Sequence, residues 1–176
     1  NMPIKKLIRT IPNYPKSGIM FRDITTLIKD PIGLNLVITE FCARYANTRI
    51  DKIVGIESRG FIIGAPLAYE LGVGFIPIRK KGKLPAKTIG CDYDLEYGTD
   101  RIEIHADAIS KGEHILLVDD LIATGGTAEA AITLIQTCGG NVVECAFVVD
   151  LPELGGKRRL EEKGATVFAL TEFEGH

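Results

Sequence analysis

The sequence predicts one α/β domain built on a mostly parallel sheet flanked by helices, and three features of the chain indicate it. Short aliphatic runs alternate with segments of helical periodicity, which is the pattern of successive β-α-β units. The run over residues 115–118 is continuous and aliphatic, as in a strand covered on both faces. The 176 residues, 45% of them hydrophobic, suffice for a single core, and no repeat or linker divides them.

In the first half of the chain, prolines indicate where helices begin and where the chain is irregular. Pro12 and Pro15 interrupt residues 11–25, which we therefore expect to be irregular. Asp30 followed by Pro31 is typical of a helix start, with aspartate as the N-cap and proline in the first turn. The elements predicted here are a helix over residues 4–11, a helix over 31–45, a strand over 51–56, a helix over 61–71 and a strand over 73–78.

The second half begins with a polar stretch. Residues 86–100 hold few large aliphatic side chains, so we expect a mobile loop there. Residues 102–105 alternate between apolar and polar side chains, as in the edge strand of a sheet. The remaining predicted elements are a strand over 115–118, a helix over 128–138, a strand over 142–149, a short helix that opens at 154–157 and ends at 163, and a strand over 166–170.

Composition and charge exclude several classes of function. A net charge of −2 and an isoelectric point near 6.0 give no support to bulk nucleic-acid binding. No apolar run approaches the length of a membrane span or of a secretory signal. The four cysteines form no C-x-x-C pair or zinc cluster, and the three histidines lie near no obvious nucleophile. We therefore expect a cytoplasmic protein with free thiols.

The strongest functional signal lies in residues 118–127, where a buried strand runs into two aspartates, a Thr-Gly turn and a predicted helix. Unpaired N–H groups at the helix start, glycines that admit close approach and the hydroxyls of Thr124 and Thr127 favour a bound phosphate. A plain turn capped by Thr127 is the alternative. The segment has neither the nucleotide P-loop pattern nor G-x-G-x-x-G.

Asp119 and Asp120 come where the buried strand is expected to end. Ionised carboxylates only accept hydrogen bonds, so they suit the vicinal hydroxyls of a sugar or a magnesium ion rather than a phosphate. A pair of solvated aspartates is the alternative. A ligand with a phosphate at one end and a diol nearby is a ribose phosphate, and this is the ligand that the combined pattern favours.

Three further features are candidates for ligand contacts. Arg59 lies in a strand-turn-helix connection, which makes it a second candidate for anion binding. Residues 79–83 hold four cations just past a predicted strand end, on the side where α/β folds bind ligands, and would suit a pyrophosphate. Both could instead be solvated surface. Phe21, in the apolar part of the irregular segment, is either core or a flat wall for a planar base.

Residues 118–127, Val-Asp-Asp-Leu-Ile-Ala-Thr-Gly-Gly-Thr, resemble the phosphoribosyl pyrophosphate (PRPP) motif of type I phosphoribosyltransferases. Other segments, in chain order, resemble motifs of the adenine phosphoribosyltransferase family: residues 14–25, 55–61, 78–85 and 93–98. The similarity extends over nearly the whole chain. Ser17, where many relatives have proline, and Glu57, where some have aspartate, depart from the pattern without loss of a functional residue type.

The resemblance implies a type I phosphoribosyltransferase fold as a single domain over residues 1–176. An N-terminal hood, residues 1–30, would lie over the base, and a flexible catalytic loop, residues 86–100, would close on it. The implied reaction transfers the 5-phosphoribosyl group from PRPP to adenine, giving AMP and pyrophosphate, with Mg²⁺ as cofactor. The resemblance also implies a cytoplasmic homodimer of purine salvage, with no nucleic-acid or membrane partner.

The resemblance further implies roles for individual residues. The 5′-phosphate is expected on Ala123, Thr124, Gly125, Gly126 and Thr127, and the ribose hydroxyls, with the metal held indirectly, on Asp119 and Asp120. Pyrophosphate is expected on Glu57, Ser58 and Arg59, with further charge from Lys80 and, across a dimer interface, from Arg79 and Lys83. Adenine is expected between Phe21 and Leu121, with the backbone of Met20 and Arg22 at its edge. The catalytic set would be Glu96, as proton acceptor near N7, with Tyr97 and Arg59.

Two alternative functions are open. The first is an enzyme for another base, and the second is a binding protein without catalysis. An enzyme for an oxo-purine needs a donor aimed at the oxo group, whereas backbone carbonyls near residues 20–22 can accept from the amino group of adenine. A PRPP-sensing regulator would share the fold without catalysis. Such proteins usually carry a DNA-binding domain, for which the roughly ten residues before the first motif are too few. Glu96 and Tyr97 also favour an enzyme.

Overall fold

The computed structural model describes residues 2–95 and 97–175, which form an α/β domain with helices on both faces of a central sheet. In chain order the elements are α1 (Met2–Leu7), β1 (Arg9–Pro12), β2 (Met20–Asp23), α2 (Thr25–Ile28), α3 (Pro31–Tyr45), β3 (Lys52–Ile56), α4 (Arg59–Leu71), β4 (Gly74–Lys80), β5 (Thr88–Asp94), β6 (Thr99–His105), β7 (His114–Ile122), α5 (Gly126–Thr137), β8 (Asn141–Asp150), a 3₁₀ turn (Pro152–Leu154), α6 (Gly156–Glu162) and β9 (Val167–Glu172).

The central sheet has seven strands in the order β5-β6-β4-β3-β7-β8-β9. Strands β4, β3, β7, β8 and β9 are parallel, whereas β6 runs antiparallel to both β4 and β5. The chain leaves β3 through α4 on one face and leaves β7 through α5 on the other. The neighbouring strands β3 and β7 therefore form a topological switch point, which is where open α/β sheets bind ligands.

Strand β7 is covered on both faces. Leu116 and Val118 belong to the core that also contains α3 and α4, while Ile115 and Leu117 belong to the core that contains α5. All four side chains are fully buried. The prediction of a buried strand at this point, and with it the α/β class, is confirmed.

A small N-terminal unit packs beside the sheet. Strands β1 and β2 pair antiparallel as a separate two-stranded ribbon. Thr25 donates its hydroxyl to Asp23 at 2.7 Å, and the Arg9 guanidinium lies 2.6 Å from the same carboxylate. These bonds, with that of Thr25 foremost, outweigh burial and lower the pKa of Asp23 to about 2. The ribbon is therefore fastened by a carboxylate that stays ionised at neutral pH.

Residues near the C-terminus hold this ribbon in place. The Arg22 guanidinium lies 4.5 Å from the ring centroid of Phe173, and the Lys5 ammonium lies 4.8 Å from it. Arg22 also donates to the backbone carbonyl of Glu174 at 3.3 Å and to the hydroxyl of Thr10 at 2.7 Å. Phe173 is buried. Segments from the two ends of the chain thus meet at the β1–β2 ribbon.

Two predictions for the N-terminal segment were wrong. The helix predicted over residues 4–11 ends at Leu7, and residues 11–25 are not irregular throughout. Residues 9–12 pair instead with residues 20–23. The reason is tertiary, because a four-residue strand gains its hydrogen bonds only from a partner strand. That partner lies eight to fourteen residues away along the chain, and periodicity does not reveal it.

The polar stretch at residues 86–100 consists largely of strand structure rather than irregular loop. Strand β5 and the start of β6 lie within it, and β5 forms the edge of the sheet. Residues 102–105 are therefore an interior strand, not the predicted edge. Solvent on the outer side of β5 explains its polar composition, since edge strands tolerate such side chains. The mobility of this segment stays a prediction.

Two strands run further than predicted. Strand β4 extends to Lys80 because Arg79 and Lys80 pair with β6, and β7 extends to Ile122 because its neighbour β8 continues beside it. Asp119 and Asp120 are consequently strand residues rather than residues of the following turn. This fixes their side chains by the alternation of the strand.

Candidate active site

The carboxyl ends of β3 and β7 open into a cleft of about 440 Å³ at the switch point of the sheet. Its walls include the β2 strand and the turn between β7 and α5. Most of the predicted site residues line this cleft, namely Met20, Phe21, Arg22, Glu57, Ser58, Arg59, Lys80, Asp119, Asp120, Leu121, Ala123, Thr124, Gly125, Gly126 and Thr127. Residues far apart in the chain are thus brought to one place.

Three predicted residues that the structure describes are not part of the cleft lining. Arg79 and Lys83 lie beside it, on Glu57. Tyr97 is 84% exposed at the connection between β5 and β6. Glu96 lies outside the described residues, so its role stays a prediction.

Residues 123–127, called here the phosphate turn, close the cleft on the α5 side. Gly125 is the N-cap of α5 and has a φ of +89°, a left-handed conformation that favours glycine. A Cβ atom on Gly125 would lie 3.0 Å from the Cα atom of Gly156. At Gly126 the φ is ordinary, and a Cβ atom would meet nothing closer than 3.7 Å. The requirement for a special backbone angle therefore applies to Gly125 and not to Gly126.

The two aspartates of β7 have different surroundings. The carboxylate of Asp120 is buried and accepts a hydrogen bond of 2.6 Å from Nε of Arg59, at the start of α4. Asp119 accepts the backbone N–H of Asp120 at 2.8 Å. Desolvation in the cleft floor, followed by the nearby charge of Asp120, raises the pKa of Asp119 well above its ordinary value. The pair therefore presents one carboxylate already bonded to a cation and one that holds its proton more tightly.

Arg59 is positioned by this pairing. Its bond to Asp120 uses Nε, so the two terminal amino groups of the guanidinium remain as further donors. Gly60 follows it, and a Cβ atom there would lie 3.0 Å from the carbonyl oxygen of Val118 and 3.1 Å from Oδ1 of Asp119. This close packing of α4 on β7 brings the arginine to the acidic pair. The role of Gly60 was missed by the sequence analysis, and only its place directly after Arg59 hinted at it.

Glu57 organises the cationic segment. Its carboxylate accepts the Lys80 backbone N–H and the Lys83 ammonium, each at 2.7 Å, and lies 3.4 Å from Nε of Arg79. Burial raises the pKa of Glu57, but these bonds outweigh it and leave the pKa below its ordinary value. Glu57 is thus a carboxylate that orders cations rather than a ligand for an anion. The peptide bond between Glu57 and Ser58 is cis.

Lys80, the last residue of β4, also lines the cleft. Its ammonium is bonded to the carboxylate of Asp100 and lies 2.8 Å from the hydroxyl of Tyr93. Tyr93 also lines the cleft. Neither Tyr93 nor Asp100 was predicted as a site residue. For Tyr93 the available signals were its aromatic ring in a polar stretch and its place at the start of the motif over residues 93–98.

The β2 wall has the chemistry of a base site. Phe21 and Leu121 both line the cleft and are half-buried. The ring of Tyr14 packs edge-on against Phe21, with centroids 5.2 Å apart, and so supports the aromatic wall from behind. The cleft lining therefore includes both an apolar wall and a turn of backbone N–H groups.

Comparison with known proteins identifies the family. The family model for the phosphoribosyl transferase domain matches residues 35–171. The adenine phosphoribosyltransferase of Nitrosospira multiformis is 70% identical over 99% of this chain and 100% of its own length. The chain belongs to the adenine phosphoribosyltransferase family. It is therefore an enzyme of pentosyl transfer, and the predicted resemblance, fold and activity are confirmed.

Solved members of the adenine phosphoribosyltransferase family have the same architecture. The Thermoanaerobacter pseudethanolicus enzyme superposes with a TM-score of 0.93 at 46% identity, covering 98% of this chain and 99% of its own. The Saccharomyces cerevisiae enzyme, solved with adenine and an imino-altritol bisphosphate, superposes with a TM-score of 0.90 at 40% identity, covering 96% and 97%. Among residues 2–95 and 97–175, no helix has the length and apolar character needed to cross a membrane.

Proposed function

We propose that this cleft transfers the 5-phosphoribosyl group of PRPP to adenine, with the base at the β2 wall and the 5′-phosphate in the phosphate turn. The observation that carries the proposal is the arrangement of three chemistries along one cleft: an apolar wall, an acidic pair and a turn of N–H groups at a helix start. AMP carries a planar base, a diol and a phosphate, so the cleft lining offers a partner for each part of the product.

The phosphate turn suits a dianion. The helix α5 begins at Gly126, so the N–H groups of its first turn have no acceptor within the helix. They add to the partial positive charge of the helix start. Thr124 and Thr127 supply hydroxyl donors beside them. We infer that these groups hold the 5′-phosphate, while Asp119 and Asp120 accept the ribose hydroxyls.

Mg²⁺ fits this site as a partner of the substrate. Among the described residues, no three His, Cys, Asp or Glu side chains are placed to hold a metal by themselves. Magnesium in phosphate chemistry commonly takes only one or two carboxylates and completes its shell with phosphate oxygens and water. Asp119 and Asp120 supply hard oxygen ligands of this kind. When bound, the metal would neutralise charge on the pyrophosphate.

Charge neutralisation and positioning account for the transfer itself. As N9 of adenine attacks C1′, the bond to pyrophosphate breaks and the ribose takes on oxocarbenium character. Arg59 and Lys80 would stabilise the negative charge on the leaving group. Glu96 would take the proton from the base, with Tyr97 beside it at the tip of the β5–β6 hairpin. Closure of this hairpin would exclude water, which could otherwise hydrolyse PRPP.

The backbone of β2 supports selectivity for adenine. Strand β2 pairs only with β1, so its other edge has N–H and C=O groups that no strand uses among the described residues. A carbonyl near Met20 or Arg22 can accept from the amino group of adenine, whereas an oxo-purine would present an acceptor there. Both residues line the cleft.

Product identification tests this selectivity. We expect AMP when the protein is incubated with PRPP, Mg²⁺ and adenine, and no nucleotide with guanine, hypoxanthine or xanthine. A preference for one of the oxo-purines would contradict the assignment of the base. A mobility shift on DNA without AMP formation would favour the non-catalytic regulator.

We further propose that the enzyme is a cytoplasmic homodimer. Ile62 and Tyr69 lie on one side of α4, seven residues apart, and are 44% and 82% exposed. A second copy could cover them. Arg79 and Lys83, which do not line the cleft of their own chain, could then supply charge to the neighbouring one. The described cysteines are free thiols, as expected in a reducing compartment.

The raised pKa of Asp119 predicts a pH dependence of PRPP binding. Hydroxyl donors and Mg²⁺ favour the ionised carboxylate, so the pKa of Asp119 is lower in the complex than in the free protein. Binding should therefore release a proton. Affinity should be full above the pKa of the free protein and fall as the pH drops through it. Calorimetry in buffers of different ionisation enthalpy measures the proton count.

Asp119→Asn is the control for that measurement, because it keeps the shape of the side chain and cannot titrate. Its proton release should vanish together with the pH dependence. Proton uptake by the unsubstituted protein, or an unchanged pH dependence in Asp119→Asn, would rule out this role for Asp119.

A further inference from the structure

We propose that Arg159 and Gly156, on helix α6, are positioning residues for the phosphate turn, an inference that rests on the proposed function of that turn. Neither residue lines the cleft. Both act through the carbonyl groups of Ala123 and Thr124, which share their peptide bonds with the N–H groups of Thr124 and Gly125. They set the direction of the N–H groups that the phosphate would meet.

Two consecutive carbonyls of the turn are anchored to α6. The carbonyl oxygen of Ala123 accepts the backbone N–H of Gly156 at 2.9 Å. The carbonyl oxygen of Thr124 accepts Nη1 of Arg159 at 3.4 Å. Both peptide bonds are trans, and a trans peptide directs its N–H opposite to its C=O. The N–H groups of Thr124 and Gly125 are thereby turned away from α6.

These two N–H groups are available to a ligand. Within residues 2–95 and 97–175, neither the N–H of Thr124 nor that of Gly125 donates to a protein acceptor. Both residues line the cleft. Gly125 is buried, whereas Thr124 is exposed at the mouth of the cleft. Successive N–H groups that no protein acceptor takes form a concavity of the kind that binds anions, so the pair points to an anion in the turn.

The contact of Gly156 with the turn leaves no room for a side chain. A Cβ atom on Gly156 would lie 2.5 Å from the Ala123 carbonyl oxygen and 2.9 Å from the nitrogen of Gly125. Such distances would force the turn away from α6. Glycine at this position is what allows the Ala123 carbonyl to be held so closely.

Arg159 is itself oriented by Glu129, in the first turn of α5. Nε and Nη2 of Arg159 each lie 3.1 Å from an oxygen of the Glu129 carboxylate, which is a bidentate arrangement. This leaves Nη1 directed at the Thr124 carbonyl. Hydrogen bonds from Arg159 and then Lys163 lower the pKa of Glu129, so the pair stays ionised at neutral pH.

Lys163 provides a matched control. Its ammonium lies 2.9 Å from the same Glu129 carboxylate, but the structure shows no bond from it to the turn. Both cations tie α6 to α5 through one acceptor. Only Arg159 also holds a carbonyl of the phosphate turn, so the two residues separate a positioning role from a purely structural one.

The test compares Arg159→Met with Lys163→Met. Binding of ribose 5-phosphate is measured by calorimetry without adenine, and KM and kcat are measured with PRPP and adenine. In Arg159→Met we expect ribose 5-phosphate binding and KM for PRPP to weaken by about tenfold, because a charge-assisted hydrogen bond that orients the turn is lost. KM for adenine should stay within about twofold in both variants, and Lys163→Met should resemble the unsubstituted protein throughout.

Further variants keep the inference falsifiable. Arg159→Lys retains the charge without the bidentate geometry. Its affinity for ribose 5-phosphate should lie between those of Arg159→Met and Lys163→Met. Should Arg159→Met fail to fold, Glu129→Gln releases Arg159 and should give the same selective loss of phosphate affinity. Equal losses in the Arg159 and Lys163 variants, or unchanged ribose 5-phosphate binding in Arg159→Met, would overturn the inference. A protein that binds ribose 5-phosphate in the expected order of variants but forms no AMP would contradict the proposed function alone.

Discussion

Replacement of Glu96 by glutamine is expected to lower kcat and kcat/KM together by about 10²–10⁴-fold, the usual effect of losing a general base. If Glu96 accepts the purine proton only as the C–N bond forms, its contribution is confined to the transition state, and KM for PRPP should change little. Single-turnover AMP formation and steady-state rates provide the measurement. Glutamine keeps the size of the side chain and removes only its charge.

A loss of stability is not expected to explain a decrease in kcat, because the residues on either side of Glu96 lie at the tip of a hairpin. Leu95 donates its N–H to the Gly98 carbonyl at 2.9 Å, which closes the tip of the β5–β6 hairpin, and Tyr97 is largely exposed there. Substitution at such a site should change the free energy of unfolding by no more than about 0.5 kcal/mol. Tyr97→Phe is the control, since it alters contacts at the tip without touching proton acceptance. A Glu96→Gln enzyme with an unchanged single-turnover rate would exclude Glu96 as the base.

Replacement of Gly125 by alanine is expected to raise KM for PRPP by at least about tenfold. Alanine in the left-handed conformation costs roughly 1–2 kcal/mol. Its Cβ atom would also lie 3.0 Å from Gly156, whose backbone cannot yield without releasing the Ala123 carbonyl. The turn must then shift, and the phosphate contacts shift with it. KM for adenine, which we propose binds at the β2 wall, should stay near its original value.

Gly112 offers a matched control for the free-energy cost of placing alanine at a positive φ. Its φ is +84°, close to that of Gly125, but a Cβ atom there would meet nothing within 4 Å, and the residue does not line the cleft. Gly112→Ala should therefore lower the melting temperature without changing KM for PRPP. If both variants raised KM equally, general destabilisation would explain the result and the close packing at Gly125 would not.

Those parts of the fold that depend on local pattern could be predicted from the sequence. The apolar run of β7 is buried on both faces, and the Asp30 carboxylate accepts the N–H groups of Ile32 and Gly33, as expected of an N-cap. The phosphate turn and the aromatic wall were found because their motifs are contiguous in the chain. Local chemistry determines such segments, so a single sequence is sufficient to locate them.

What the sequence could not provide were contacts between distant segments. Nothing in the pattern indicates that Arg59 bonds to Asp120, sixty-one residues away, or that Glu57 orders the cations of β4. The same holds for Gly156, whose proximity to the turn arises from the return of the chain after β8. The β5–β6 hairpin was mistaken for loop because its strands pair with each other at the edge, where polar side chains are tolerated.

The cation–π contact between Arg22 and Phe173 joins segments of the chain that are synthesised at different times. A chain emerging from the ribosome presents the β1–β2 ribbon early, but the ring and the carbonyl that hold Arg22 belong to residues synthesised 151 and 152 positions later. The phosphate turn has its scaffold of β7 and α6 earlier than that. Full support of Arg22, and with it of the β2 wall, therefore requires residues 173 and 174 to have been synthesised.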